Sequence, residues 1–435
     1  MSHTDQRHWK SHSDFLRLAA VCLRGVVTVL VFVLFVRTFI VEGLLFRFVI
    51  SGASMSPALH GPHYLLHCPK CATGFCVEAE EEAMTVPQDR PLRLGICPAC
   101  SFTRVPVSAG TQHSGDRIVI NRAALSLRSI RRWNVVLFRS PDDGRLTVKR
   151  VVGLPGETLE IRDGNIVING QIATKPLAIQ RAMRIPMPYG RWEIQEHQRP
   201  LSGVRGSIDA PTYELAYHPI RNPPHSGENP VGDEIFRPHL SPLVPRPSPL
   251  YDITNQLCEN QWQIEPPGGI FPVRDLMFEF DWLPDDSVPL CIHAYIENLQ
   301  YTIPLANHKG GKHQVVISLF DRRLLVAVDG VTLTELALDE DKQISTDTSP
   351  LAIGLAGNAG LSQSEQEVAV KRQIANLRVF RNVYFTSGNA LSTQVTIPTG
   401  CYYVLGDNSS FSSDSRHWKK PFVSHRHLVG IVTAY

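Results

Sequence analysis

One stretch near the N-terminus limits the folds open to this chain more than any other. Leu18 to Val36, LAAVCLRGVVTVLVFVLFV, is apolar except for Arg24. At about 1.5 Å of rise per residue, a helix of this length matches the hydrocarbon thickness of a bilayer. Arg24 lies toward the N-terminal end, where a long side chain can snorkel back to the headgroups. Arg7, Lys10 and Arg17 precede the run, which favours a cytoplasmic N-terminus, although Arg37 and Arg47 follow it. The expectation is a cytoplasmic tail over 1–17, a transmembrane anchor over 18–41, and the remaining chain outside the cytoplasm. The alternative is a removable leader, since Ser51 and Ala53 are small residues at −3 and −1 of a would-be cleavage site before Ser54. Against it, Arg37, Glu42 and Arg47 separate that site from the apolar run by more than a leader usually allows.

With 435 residues, 43% of them hydrophobic, the chain is long enough for more than one domain. A net charge of +2 provides no global basic field, and nucleic acid is not expected as a partner. The fold class expected is mainly β. Residues 42–173 alternate in β fashion in DRIVINR, NVVLFRS, LTVKRVVG and LEIRDGNIVINGQ. In the last of these, Asp163-Gly164 between two alternating runs is a hairpin signal. Residues 174–270 lack clear periodicity and are proline-rich from 219 to 249, which predicts an extended connecting segment. Residues 271–390 turn β-rich again. In LMFEFDW, Leu276, Phe278, Phe280 and Trp282 share one face, and Asp321-Arg322-Arg323 and Asp329-Gly330 are turn signals. Short strands at this spacing suit an inserted β-sandwich. Their order and the NLRVFR strand resemble a concanavalin-like (laminin-G-like) sandwich, while a plain β insert with no ligand fits the same residues.

A serine needs a neighbouring base to become a nucleophile. No histidine stands in a recognisable triad and no Gly-x-Ser-x-Gly elbow is present. The remaining base is a lysine kept neutral by desolvation. Lys149 in RLTVKRVVGLPGE, flanked by Val148, Val151 and Val152, is the candidate, and Ser54 in FVISGASMSPALHG is the candidate nucleophile. Taken alone, a lysine in a strand is more often a solvated edge residue.

Four separated stretches turn that balance. VISGASMSPAL, SGDRIVINR, VVLFRSPDDGRLTVKRVVGLPGETLEIRDGNIVINGQ and IPTGCYYVLGDNSSFSSDSRHW resemble, in order, the motifs of the bacterial type I signal peptidases, which are Ser/Lys serine proteases. The resemblance covers roughly half the chain, interrupted by two inserts. It implies an antiparallel β catalytic domain in two parts, 42–173 and 391–435. It also implies Ser54 as nucleophile and Lys149 as general base, through an acyl-enzyme. Ser412 would orient the lysine amine, Asp414 and Arg416 would form a supporting ion pair, Asp407 would belong to a structural turn, and Met55 would pack beneath the site. Gly52 stands where some members place a serine whose hydroxyl assists the oxyanion, so the second donor must be a backbone group or a water. Ala58 replaces a usual threonine, and Ser409-Ser410-Phe411 replaces a more polar run. The implied function is cleavage of N-terminal signal peptides from exported preproteins after small residues of the Ala-x-Ala type. The implied place is the outer, periplasmic side of the bacterial cytoplasmic membrane, in a single-pass protein with membrane lipid and the export machinery as partners. No cofactor for catalysis is implied. Two other readings stay open: a non-catalytic envelope protein binding glycan or protein through the sandwich, and a self-cleaving repressor with similar chemistry. The retained serine and lysine argue against the first, and the anchor and lack of a DNA-binding motif against the second.

Cys68, Cys71, Cys97 and Cys100 form two Cys-Pro-x-Cys knuckles within a ribbon insert at 62–105. Four thiolates suit a closed, structural zinc site. Two disulfides are the alternative in an oxidising compartment, and Cys76 lies close enough to disturb either.

Overall fold

The protein is described here from a computed structural model. It describes residues 3–37, 44–69, 74–79, 94–95, 105–127, 129–186, 190–197, 212–219, 275–285, 289–296, 299–305, 310–338, 351–355, 363–387, 394–409 and 412–434. The chain opens with α1 (His3–Phe35) and β1 (Leu45–Val49). There follow β2 (His63–His67), β3 (Gly74–Glu78), β4 (Leu94–Gly95), β5 (Val105–Pro106), β6 (Thr111–His113), β7 (Arg117–Asn121), α2 (Ala123–Leu127), β8 (Val135–Arg139) and β9 (Leu146–Gly153). The next part holds β10 (Thr158–Arg162), β11 (Asn165–Ile168), β12 (Gln171–Ile172), α3 (Leu177–Met183), β13 (Ile185–Pro186), β14 (Gly190–His197) and β15 (Thr212–Pro219). After it come β16 (Leu276–Trp282), β17 (Leu290–Ile296), β18 (Leu299–Pro304), β19 (His313–Ser318), β20 (Arg323–Val328), β21 (Val331–Ala337), β22 (Leu351–Leu355), α4 (Gln363–Gln373) and β23 (Ile374–Arg381). The last strands are β24 (Gln394–Thr396), β25 (Cys401–Leu405), β26 (Val423–Ser424) and β27 (Leu428–Ala434).

A seven-stranded sheet in the order β1-β7-β27-β8-β9-β25-β26 forms the frame of the site. Its β8, VVLFR, shows why it is central. Val135 and Leu137 enter one apolar cluster with Met55 and Leu59, while Val136 and Phe138 enter another with Val151 and Trp418. A strand with both faces buried needs apolar side chains at every position, as this one has. A four-stranded sheet, β12-β11-β10-β24, packs alongside through Leu159, Ile166 and Val152. The Asp163-Gly164 signal is a tight hairpin between β10 and β11. Both residues take positive φ, 49° and 80°, as a turn matching strand twist requires.

Two further sheets, β13-β23-β16-β19-β20-β21 and β14-β15-β22-β17-β18, share one apolar core. Leu276, Phe278, Phe280 and Trp282 enter it from β16, as their alternation predicts, and Ile292 and Ile353 face them from the second sheet. The opposite face of β16 is buried as well. Met277 packs near Leu177 of α3, and the fully buried Glu279 accepts hydrogen bonds from Arg181, Arg184 and Arg378 at 2.8, 2.7 and 3.2 Å. A buried carboxylate without such partners would be strongly destabilising.

Three expectations need revision. Residues 174–270 were expected only to connect, yet their described parts supply α3, β13, β14 and β15, which join both of the last two sheets. The cysteine-bearing insert reaches beyond residue 105: β2, β3 and β6 form one small sheet that ends at His113. The anchor expected over 18–41 is part of a longer helix that begins at His3. No helix among the described residues is long and apolar enough to cross a membrane. Its described side chains over residues 19–35 are, Arg24 and Thr28 apart, apolar and largely exposed but fall short of the about 20 residues of a span; residues 38–43 lie outside the described ones.

Candidate active site

Ser54 sits in a single 3-10 turn, Ala53–Met55, that follows β1 and lies against β9. Extended Gly52 precedes the turn, and the loop folds back so tightly that a Cβ on Gly61 would stand 2.8 Å from the Gly52 nitrogen. Met55, 1% exposed, fastens the turn to the apolar cluster beneath it. Ser54 itself is half-buried. No hydrogen bond engages its backbone N–H among the described residues. That is the usual state of the first amides of a helical turn, which have no carbonyl behind them.

Lys149 lies on β9 opposite Val136 and is 2% exposed. Val148, Val151 and Val152 around it are buried too. No ion pair or hydrogen bond ties up its amine among the described residues. Burial lowers its pKa from 10.5 to about 8; Asp414 pulls it back up, Arg416 pushes it down and Asp407 raises it. The lysine is therefore an amine that releases its proton near neutral pH.

The segment from Gly406 to Arg416 joins the two elements. Asp407 accepts a bidentate pair of bonds from the neighbouring Arg150, Nε to Oδ1 at 2.7 Å and Nη2 to Oδ2 at 2.6 Å. Both side chains are buried, and Arg150 Nη1 also donates to the Trp133 carbonyl at 2.9 Å. One residue on, the Asn408 N–H donates to the Ser54 carbonyl at 3.2 Å and its Nδ2 to the Ala53 carbonyl at 3.2 Å. Arg150 and Asp407 thus pin to β9 the same turn that Asn408 pins to the serine. Gly406 fits where nothing larger would, because a Cβ there would collide with the Ser54 carbonyl oxygen and Ser412 Oγ. Asp414 accepts from the Gly406 N–H at 3.0 Å and pairs with Arg416, Nε to Oδ1 at 2.8 Å and Nη2 to Oδ2 at 2.7 Å. Burial works against the charged form of Asp414, but the Arg416 guanidinium holds it well below the usual carboxylate range. Arg416 also donates to the Thr386 carbonyl at 2.9 Å, tying the end of the inserted region to this turn.

The structure therefore brings Ser54, Met55, Asp407, Ser412, Asp414 and Arg416 around one segment, with Lys149 beside it. Ser412 does not make the bond expected of it: its Oγ is buried and has no hydrogen-bond partner. Cys68 is buried in the small insert's own core, whereas Cys71, Cys97 and Cys100 lie outside the described residues, and no metal-holding cluster exists among the described ones. Sequence reasoning missed three contributors. Two are Arg150, on β9 beside the lysine, and Asn408, next to Asp407 in the turn. Glu78, at the end of β3, accepts the Ala53 N–H at 3.1 Å and so caps the serine turn from the insert. The Arg beside the lysine was the one available signal, since a buried strand cannot hold an arginine without a carboxylate.

The family model for "Signal peptidase, peptidase S26" matches residues 103–207 and 324–435. These include Lys149 and the Gly406–Arg416 segment; Ser54 precedes them. Among curated proteins the chain is similar to "Signal peptidase I V" of Bacillus subtilis (strain 168), 35% identical over 66 residues, which is 15% of this chain and 39% of that protein. "Signal peptidase I T" of the same organism is 30% identical over 66 residues, 15% of this chain and 34% of that one. A signal peptidase I of Leptolyngbya laminosa is 30% identical over 69 residues, 14% and 34% of the two chains. The matched part is thus well under half the length of these relatives. A crystal structure of a signal peptidase I from Enterococcus faecalis V583 aligns over 70% of this chain and 98% of its own, with a TM-score of 0.20 and 13% identity. By the family model and these relatives, the chain belongs to the signal peptidase S26 family.

Proposed function

We propose that this protein is a membrane-anchored signal peptidase I, a serine endopeptidase that removes signal peptides from exported preproteins after small residues. The observation that carries the reading is Lys149: a buried amine whose pKa falls to about 8, on the strand against which the Ser54 turn packs. In its neutral form Lys149 accepts the Ser54 Oγ proton as that oxygen attacks the scissile carbonyl carbon. The Ser54 N–H, without a partner among the described residues, supplies one donor to the oxyanion. Collapse of the tetrahedral intermediate breaks the C–N bond. The proton held by Lys149 goes to the departing amine, leaving an ester on Ser54. A water that gives its proton to Lys149 then hydrolyses the ester, and the proton returns to Ser54 as the acyl group leaves. Asp414 and Arg416 set the charge balance around the amine, and in this reading the buried Ser412 hydroxyl, which has no partner among the described residues of the free protein, orients it during the reaction.

In this reading the apolar part of α1 is a single-pass anchor in the bacterial cytoplasmic membrane, with the site on its outer side. Membrane lipid and the export machinery are then its neighbours. The two sheets that share one core form a β-sandwich insert, and the four cysteines hold a structural zinc. Metal analysis giving about one zinc per chain supports that last element, and none refutes it. The decisive experiment is cleavage of a precursor with an Ala-x-Ala site by purified protein. Ser54→Ala and Lys149→Ala should each abolish cleavage while leaving thermal unfolding cooperative. Full cleavage by either variant refutes the proposal.

A further inference from the structure

Beyond the hairpin end of β8 and β9 lies a cleft of about 700 Å³ that the peptidase reading does not use. It is lined by Arg139 at the end of β8, by Lys419 and Lys420 just after the Asp414–Arg416 pair, and by Arg426 and His427 in the 3-10 turn before β27. Ser424 adds a hydroxyl whose oxygen is 3.1 Å from His427 Nδ1, which fixes the imidazole at the wall. No carboxylate lines it; Asp142 and Asp143, in the adjoining turn, are not among its walls, and Asp143 pairs with Arg145 at 3.7 Å. Among the described residues no acidic side chain pairs with Arg139, Lys419, Lys420 or Arg426. Four uncompensated cations around one concavity repel each other, in a chain whose net charge is only +2. Such a cleft concentrates anions. Its chemistry is more specific than charge. Two guanidinium forks present paired N–H donors, two ammonium groups add compact charge, and a hydroxyl and an imidazole complete a donor-rich wall. A tetrahedral oxyanion is what such a set satisfies best, because forked donors match two oxygens on one phosphorus. The volume exceeds a bare phosphate and falls within the usual range for small-ligand sites.

We propose that this cleft binds a phosphate-bearing anion, a role independent of the peptidase reading. A soluble phosphate ester and the headgroup of an anionic phospholipid offer the same chemistry, and two probes separate them. The full chain in detergent is titrated with glycerol 3-phosphate by calorimetry. In parallel, native mass spectrometry compares retention of phosphatidylglycerol and phosphatidylcholine. The comparison is a Lys419→Ala/Lys420→Ala/Arg426→Ala variant, with Lys419→Arg/Lys420→Arg as the charge-preserving control. Expected is binding by the wild type and the arginine control that weakens at least about tenfold in the alanine variant, whose altered side chains are solvent-facing or at the cleft mouth. Saturable binding of glycerol 3-phosphate marks a soluble ester, and selective phosphatidylglycerol retention alone marks a lipid headgroup; either supports the proposal. Binding of neither, equal binding by the alanine variant with unchanged unfolding, or preference for an acidic peptide over both phosphates overturns it.

Discussion

Lys149→Met should make the protein more stable at neutral pH while removing its chemistry. The side chain is 2% exposed and its pKa lies at about 8 in the fold against 10.5 for an ordinary lysine. The folded state therefore binds the lysine proton more weakly than the unfolded chain does. Below about pH 8 both states are protonated and the fold carries the whole penalty, about 3 kcal/mol from the difference between the two pKa values. Between about pH 8 and 10.5 the unfolded chain still holds the proton and the folded one has released it, so wild-type stability rises with pH. A thioether of similar length fills the space without that penalty. Urea denaturation of both proteins at pH 7 and 9.5 checks this. The variant should gain about 3 kcal/mol at pH 7 and only about 1 kcal/mol at pH 9.5. A gain that does not depend on pH, or no gain at pH 7, would refute the argument that a dry lysine is held in place at a cost to the fold.

The rate of precursor cleavage should rise about tenfold from pH 7 to 9 along a limb centred near 8, and Asp414→Asn should move that limb to lower pH, since it removes an attraction that raises the lysine pKa and leaves Arg416 opposing it; a shift upward contradicts the assignment. Glu78→Ala should slow cleavage by about tenfold, while Glu78→Gln, whose carbonyl still accepts the Ala53 N–H, recovers most of the rate; equal loss in both removes the capping role. Arg150→Ala leaves Asp407 buried without its partner and should cost about 3–5 kcal/mol in urea denaturation; a cost near that of a surface change would mean that the pair does not hold the turn.

What could be read from the sequence was local. The Asp163-Gly164 and Asp329-Gly330 hairpins carry their own turn chemistry, and both pairs take positive φ in the fold. The alternation in LMFEFDW gave the core face of β16, yet not that Glu279 on its other face would be buried. The three arginines that make this tolerable come from α3, its C-terminal flank and β23. The same limit hid Arg150 and Asp407, 257 residues apart in the chain. Glu78 was hidden because its bond is to a backbone N–H, which any residue at position 53 other than proline would offer. Residues 190–219 were misjudged for a related reason. Their strands pair with each other and with β22, far away, so the pattern that justifies them is not in the segment itself.

The order of the seven-stranded sheet has a temporal meaning. β27, the latest strand in the chain, lies between β7 and β8, which are made some three hundred residues before it. Until it arrives, those two strands have a vacant seat between them, and the layer carrying Lys149 has no closed hydrogen-bonded frame. Loop closure of that span is slow, because its entropy is lost before the pairing returns any of it. Ser54, which follows β1 on one side of that seat, and Lys149, on β9 at the other, would thus be brought together only after β27 had docked.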